Sequence, residues 1–255
     1  MKSASLSLIF SSCLLASTFA VITPGSGDLV LGFQATSGTG VSQNLVVDLG
    51  NVNVNTITTV LGSLNLNLGT DLSNIYGNNW STRSDLYWGF ISANYPTANG
   101  DSANTLYAST QQGNSPWIRA TAASQGTTRA NVFNLYSQMG TDIVNAQTGT
   151  AAGSILMGTA ESSSWSAYNT VLGSSFGAFN GSVESSIANN LDIYRLAPSS
   201  IAGVAGTLSG TMQLSSSGIV SAVSAVPEPS TNALIIFGSV VLIGFAIRRR
   251  MATKA

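Results

Sequence analysis

Apolar and polar residues alternate over short stretches along much of this chain, and Gly, Ser, Thr and Asn bound the stretches. Asp28–Phe33 (DLVLGF) and Asn44–Leu49 (NLVVDL) read as two strands separated by a Gly/Ser/Thr turn. From Val52 to Leu68 apolar residues again alternate with Asn and Thr, most plainly in Leu64-Asn65-Leu66-Asn67-Leu68, which predicts strand with one solvated face. Ser84–Ser92 (SDLYWGFIS) predicts a strand dense in aromatics, with Thr105–Ser109 pairing to it across a polar loop. Leu191–Leu196 returns to strand character. Gly206–Leu214 alternates, with Leu208, Met212 and Leu214 expected on one side. Ser216-Ser217-Gly218 predicts a hairpin turn into Ile219–Val223, and Ala222–Ala225 then forms a short linker.

Helical spacing is confined to a few places. Ala130–Met139 sets Val132, Leu135, Tyr136 and Met139 on one face, with Thr127 or Thr128 as cap and Gly140 at the exit. Ser164–Leu172 places Trp165, Tyr168 and Leu172 similarly, before Gly173. Asp71 is expected to cap a single turn through Tyr76, ended by Gly77. The sum is eight or more short strands and two or three short helices. A mainly-β ectodomain of β-sandwich or jelly-roll-like architecture is expected. No repeat of fixed period supports a solenoid or propeller.

The two ends break this pattern. Met1–Ala20 reads as a secretory signal peptide. Lys2 provides the positive start, Leu6–Leu15 is largely apolar, and small residues at Thr18 and Ala20 place cleavage between Ala20 and Val21. The alternative is a lipoprotein start at Cys13, but Phe10-Ser11-Ser12 before it is a poor fit and cleavage there would shorten the apolar core. At the other end Val226-Pro227-Glu228-Pro229-Ser230 precedes an uncharged run, Ala233–Ile247, and then Arg248-Arg249-Arg250. Fifteen helical residues span roughly 22 Å against a hydrocarbon core of about 30 Å. The segment, taken from Thr231 to Ile247, is therefore expected to insert with snorkelling arginines or local thinning of the bilayer. Three consecutive cations do not end a buried element; they stop transfer and hold the C-terminus inside. Pro227 and Pro229 keep the helix from extending backwards.

Motif, greasy run and basic stop, in that order over residues 226–255, closely resemble the PEP-CTERM tail of bacterial exosortase substrates. This tail type also goes by the name ice-binding protein C-terminal domain, which says nothing of ice. The resemblance implies that Pro227, Glu228 and Pro229 are recognised by exosortase, a membrane-embedded cysteine transpeptidase that cuts near the motif and transfers the ectodomain to another carrier. The segments DLVLGF and DLSNIYG and the closing strand before the motif also look like an ectodomain type recurrent in such proteins, with no activity to carry over. The expected layout is a signal peptide at 1–20, a β-rich ectodomain at 21–225 and the sorting signal at 226–255, comprising motif 226–230, transmembrane helix 231–247 and basic tail 248–255. The alternative reading of the tail is a plain membrane anchor.

Composition then narrows the chemistry. The chain has no histidine, and its single cysteine, Cys13, leaves with the signal peptide. That removes Ser-His-Asp and Cys-His catalysis, His-ligated zinc and thiolate sites. The only lysines, Lys2 and Lys254, sit at opposite ends, so a Ser–Lys dyad is excluded. Within 21–225, four basic against nine acidic residues leave a net charge of −5, which disfavours nucleic acid as a partner. A glycosidase pair would have to come from Asp48, Asp71, Asp85, Asp142, Glu161, Glu184 and Asp192, no two of which share a motif. Asp85 and Asp101 are too isolated for a calcium loop. Gly38-Thr39-Gly40 lacks the context of a phosphate loop. Asn79-Trp80-Ser81 and Asn180-Gly181-Ser182 match the glycosylation sequon, a pattern frequent by chance. Trp80, Trp88, Trp117 and Trp165, with Tyr87 and Tyr95, are the candidates for a sugar platform. Trp88 and Trp165 fall in apolar patterns and are expected in the core; Trp80 and Trp117 lie in loop-like sequence and are expected to be exposed. The leading expectation is a non-enzymatic exported protein of the envelope or extracellular matrix, without cofactor or metal. Its partners are exosortase, the membrane and extracellular polysaccharide. The alternative is a surface-displayed carbohydrate-binding or glycan-hydrolysing domain.

Overall fold

The computed structural model describes residues 24–97, 100–141, 153–169, 175–177, 179 and 181–223. The signal-peptide cleavage site at Ala20 and Val21, the motif Val226–Ser230, the apolar run and Arg248–Arg250 lie outside the described residues.

Ten strands and four α-helices follow one another along the described chain. They are β1 (Asp28–Ala35), β2 (Gln43–Asn51), α1 (Ile57–Ser63), β3 (Asn65–Asn67), α2 (Gly69–Tyr76), β4 (Leu86–Ala93), β5 (Leu106–Gln111), α3 (Ala122–Thr141), β6 (Ser154–Gly158), α4 (Trp165–Tyr168), β7 (Glu184–Ser186), β8 (Leu191–Leu196), β9 (Thr207–Leu214) and β10 (Ile219–Ala222). The mainly-β class is as expected. The strands join in one curled antiparallel sheet of order β3-β10-β9-β8-β5-β4-β1-β2-β6, with β7 paired to the first half of β4. The strand content fits the mainly-β expectation, but in place of the two sheets of a sandwich the described strands share one continuous hydrogen-bonded path.

Both faces of the sheet are covered, and period-2 alternation sorts side chains between two cores. Leu29, Leu31 and Phe33 of β1, Leu45 and Val47 of β2, Trp88 and Phe90 of β4, and Leu191 and Ile193 of β8 pack on one face with Ile57 and Leu61 of α1 and Leu72 and Tyr76 of α2. Val30, Val46, Ile91 and Ala108 face the other way, against Val132, Leu135, Tyr136 and Met139 of α3 and Trp165 of α4. Double coverage explains why DLVLGF is apolar at nearly every position.

Several boundaries differ from expectation. Residues 57–63 are helix, because Ile57, Val60, Leu61 and Leu64 sit at helical spacing and only Asn65–Asn67 pairs as strand, with β10. Asp71 does not cap α2: the N-cap is Leu68, and Asp71 is buried in the first turn. Gly77 ends that helix as expected, at φ 89°. α3 begins eight residues before Ala130, since its early buried positions are the polar Gln125 and Thr128. Gln125 Nε2 donates to the Leu196 carbonyl at 3.2 Å. α4 stops at Tyr168, where Asn169 turns extended; its start is capped by Ser164, whose hydroxyl accepts from the Ala167 N–H at 3.3 Å. On β9, Met212 is buried but Leu208 is 53 % exposed. Ile193 pairs with Gly210 and Tyr194 with Leu208, so Ser209 is an extra residue on β9, and this bulge turns Leu208 to the opposite face from Met212.

Candidate functional site

A cleft opens between the segment that follows β5 and the segment that precedes β7. It has a volume of about 440 Å³ and is lined by Thr110, Asn114, Ser115, Trp117, Phe179 and Ser182, among others. None of the described residues that line it is charged. Trp117 is fixed from several sides. Its indole N–H donates to the Ser109 carbonyl at 2.8 Å, and its own carbonyl accepts from the Gly206 N–H at 2.7 Å. Its ring centroid lies 4.8 Å from that of Phe179 at an interplanar angle of 50°. Gly181 permits a close approach: a Cβ there would stand 3.2 Å from the ring. Because the indole's polar atom is already used, the ring can offer a ligand only carbon surface.

The other aromatic candidates separate as follows. Trp88 and Trp165 are fully buried, as expected. Trp80, expected to be exposed, is 4 % exposed and belongs to the first core, because the 3-10 turn Trp80–Thr82 folds it inward after α2. Trp117 is half-buried. Tyr95 is exposed, with the Arg129 guanidinium 4.3 Å from its ring centroid. The structure therefore does not bring the four tryptophans together as one platform.

Nor does it gather the carboxylates. Arg83 holds Asp85 through Nε and Nη2, both at 2.9 Å, and also donates to the carbonyls of Ser37, Thr39 and Tyr76. The guanidinium, with help from the Ser37 hydroxyl, keeps the Asp85 carboxyl well below its usual range. Asp101 is fully buried and paired to Arg195 at 2.6 Å. Its other oxygen accepts from Tyr107 Oη at 2.8 Å, Asn94 Nδ2 at 3.1 Å and the Val54 N–H at 3.1 Å. Asp192 accepts from Thr211 Oγ1 at 2.6 Å. Asp71 lies 3.5 Å from Ser154 Oγ, and Glu161 accepts from the Gly158 N–H at 2.9 Å. Burial raises the pKa of Asp48, the Gly50 N–H partly offsets this, and the charge of Asp28 adds to it. Asp142 is outside the described residues. Among the described residues no three His, Cys, Asp or Glu side chains converge as metal ligands.

Glu184 stands apart. It is buried, and its oxygens accept from Trp165 Nε1 and Gln34 Nε2, each at 2.5 Å. Burial pushes its carboxyl up to about 8, against the pull of these hydrogen bonds. Glu184 was one of several scattered candidate acids in the sequence, and nothing local set it apart, because its partners come from β1 and α4. The only signal was a lone acid in the apolar-flanked stretch Val183–Ile187.

Among the described residues the acids do not converge as metal ligands, and the part that places this chain in a class is its C-terminal tail. Residues 225–250 match the PEP-CTERM protein-sorting motif, a stretch that includes both the Val226–Ser230 motif and Arg248–Arg250. The chain carries this motif, and is on that account an exported protein with a C-terminal sorting tail. No curated protein and no solved structure matches the chain. Among the described residues no helix is long and apolar enough to cross a membrane.

Proposed function

We propose that the protein is a non-enzymatic component of the cell envelope or extracellular matrix, exported through its N-terminal signal and processed by exosortase at its C-terminal motif. The observation that carries this reading is the match at 225–250, in which a Pro-Glu-Pro triplet, an uncharged run and three arginines stand in order. The run Ala233–Ile247 crosses the bilayer, the arginines stay inside, and the motif stands just outside, within reach of a membrane-embedded enzyme. The non-enzymatic part is supported by how the acids are used: Asp85 and Asp101 are held by arginines, Asp192 by a threonine, and Glu184 by an indole and an amide.

The test is Glu228→Ala in a host that carries exosortase, followed by protein size and fractionation. The variant should insert normally and remain unprocessed in the membrane fraction, since the change lies outside the apolar run. Processing and release like the parent would mean that the motif is not read, and a plain anchor would be the better account.

A further inference from the structure

We propose that the Trp117 cleft is a binding site for an uncharged polysaccharide chain. The proposal relies on the exported reading only for where such a polymer would be met; binding itself is a property of the ectodomain.

The first argument is the chemistry of the walls. A pyranose has C–H groups on its ring faces and hydroxyls around its rim. The C–H groups carry slight positive charge and suit the electron-rich face of an aromatic ring. The hydroxyls need donors and acceptors together. The cleft provides Trp117 beside the amide of Asn114 and the hydroxyls of Thr110 and Ser115, groups that can both donate and accept. Its volume, about 440 Å³, lies within the range of small-ligand sites.

Preorganisation is the second argument. Trp117 is held by the Ser109 carbonyl, by Phe179 and by the close approach of Gly181, and the bridge between Ile118 and Ala205 fixes the segment next to it. A ring fixed in advance loses little rotamer entropy when a ligand covers it.

Charge selects among polysaccharides. Among the described residues no charged side chain lines the cleft, so neither a carboxylate nor a sulfate on the polymer would find a cation among them. The net −5 of residues 21–225 repels polyanions over longer range. A neutral glycan avoids both costs. A second, more open cleft lined by Asn67, Asn74, Asn78 and Ser216 also has no charge among its described lining, but its tryptophan, Trp80, is buried. It therefore serves as the internal control.

The experiment is native affinity electrophoresis of the full chain in detergent, through gels containing dextran, hydroxyethyl cellulose, a mannan or alginate. At least one of the three neutral polymers should slow the protein twofold or more relative to a plain gel, and alginate should not. Trp117→Ala and Ser115→Tyr should each abolish the retardation, and Ser216→Tyr should leave it unchanged. Ser115 is exposed, so filling the cleft from that position should not disturb folding even if Trp117→Ala does. No retardation by any neutral polymer, retardation by alginate alone, or retardation that survives Ser115→Tyr would overturn the proposal. None of these outcomes bears on Glu228 or on processing, so failure here leaves the sorting reading intact.

Discussion

The indole of Trp165 occupies the space where a side chain on Gly32 would stand. Gly32 lies opposite Gly89 in the β1–β4 pair, and a Cβ on Gly89 would come 2.6 Å from the Val183 carbonyl. Two facing glycines thus form a flat floor in the centre of the sheet. Trp165 packs on Gly32, and its Nε1 reaches Glu184 on β7, the residue paired with Gly89. Gly32→Val should therefore be strongly destabilising, by about 3 kcal/mol, the upper end of overpacking costs. Gly62, exposed in α1 with open space around its Cα, provides the contrast: Gly62→Ala should stabilise by about 0.5–1 kcal/mol. Urea denaturation of both variants checks the pair.

Glu184 makes stability depend on pH in an unusual direction. Its folded pKa, about 8, lies above the ordinary value of 4.5. Below about pH 4.5 the group is protonated in both states and imposes no penalty. As pH rises toward 8 the unfolded chain releases the proton while the folded one keeps it, so stability falls across this window and levels off above it. Asp48, also raised, adds in the same direction. With no histidine in the chain, little else titrates there. Unfolding free energies measured at pH 5 and pH 8 should show a loss in the parent that Glu184→Gln greatly reduces.

Arg83, whose side chain keeps 15 % exposure, should matter more than a surface arginine. It ties the β1–β2 turn to the end of α2 through three carbonyls and pairs with Asp85. Arg83→Met should cost about 1–2 kcal/mol, and Arg83→Lys should recover only part, because an ammonium cannot reproduce the planar fork. The Asp85 carboxyl is depressed, so its contribution is present above its unfolded pKa and is lost as pH falls below that value. The difference between parent and Arg83→Met should therefore shrink in acid.

The Asp101–Arg195 pair should show strong coupling. Asp101 is fully buried, and removing its cation leaves the carboxylate only neutral donors, whereas Arg195 keeps 21 % side-chain exposure. Arg195→Met should cost about 3 kcal/mol, the lower end of the range for breaking a buried pair. A double-mutant cycle with Asp101→Asn checks this: the double variant should be more stable than the two single losses, added together, predict.

In the tail, replacing Arg248, Arg249 and Arg250 with neutral residues should remove the cytoplasmic stop and let the apolar run slip outward. Protease protection of the C-terminus in intact cells should fall, while Glu228→Ala leaves it unchanged.

The sequence by itself determined the mainly-β class, the strands around DLVLGF, NLVVDL and LDIYRL, the helix face at Val132–Met139, and the sorting tail. Each is written in local periodicity or in a contiguous motif. What the tertiary structure decided depends on who sits opposite whom. Trp80 looked like a loop residue until a 3-10 turn folded it into the core, and Leu208 followed its alternation until one bulge reversed it. Trp117 became one wall of a cleft only when residues near 180 were brought beside those near 115. Glu184 acquired its raised pKa because α4 and β1 surround it, with partners up to 150 positions away in the chain. A carboxyl's neighbours through space set its desolvation and hydrogen bonding, and no window of adjacent residues contains them.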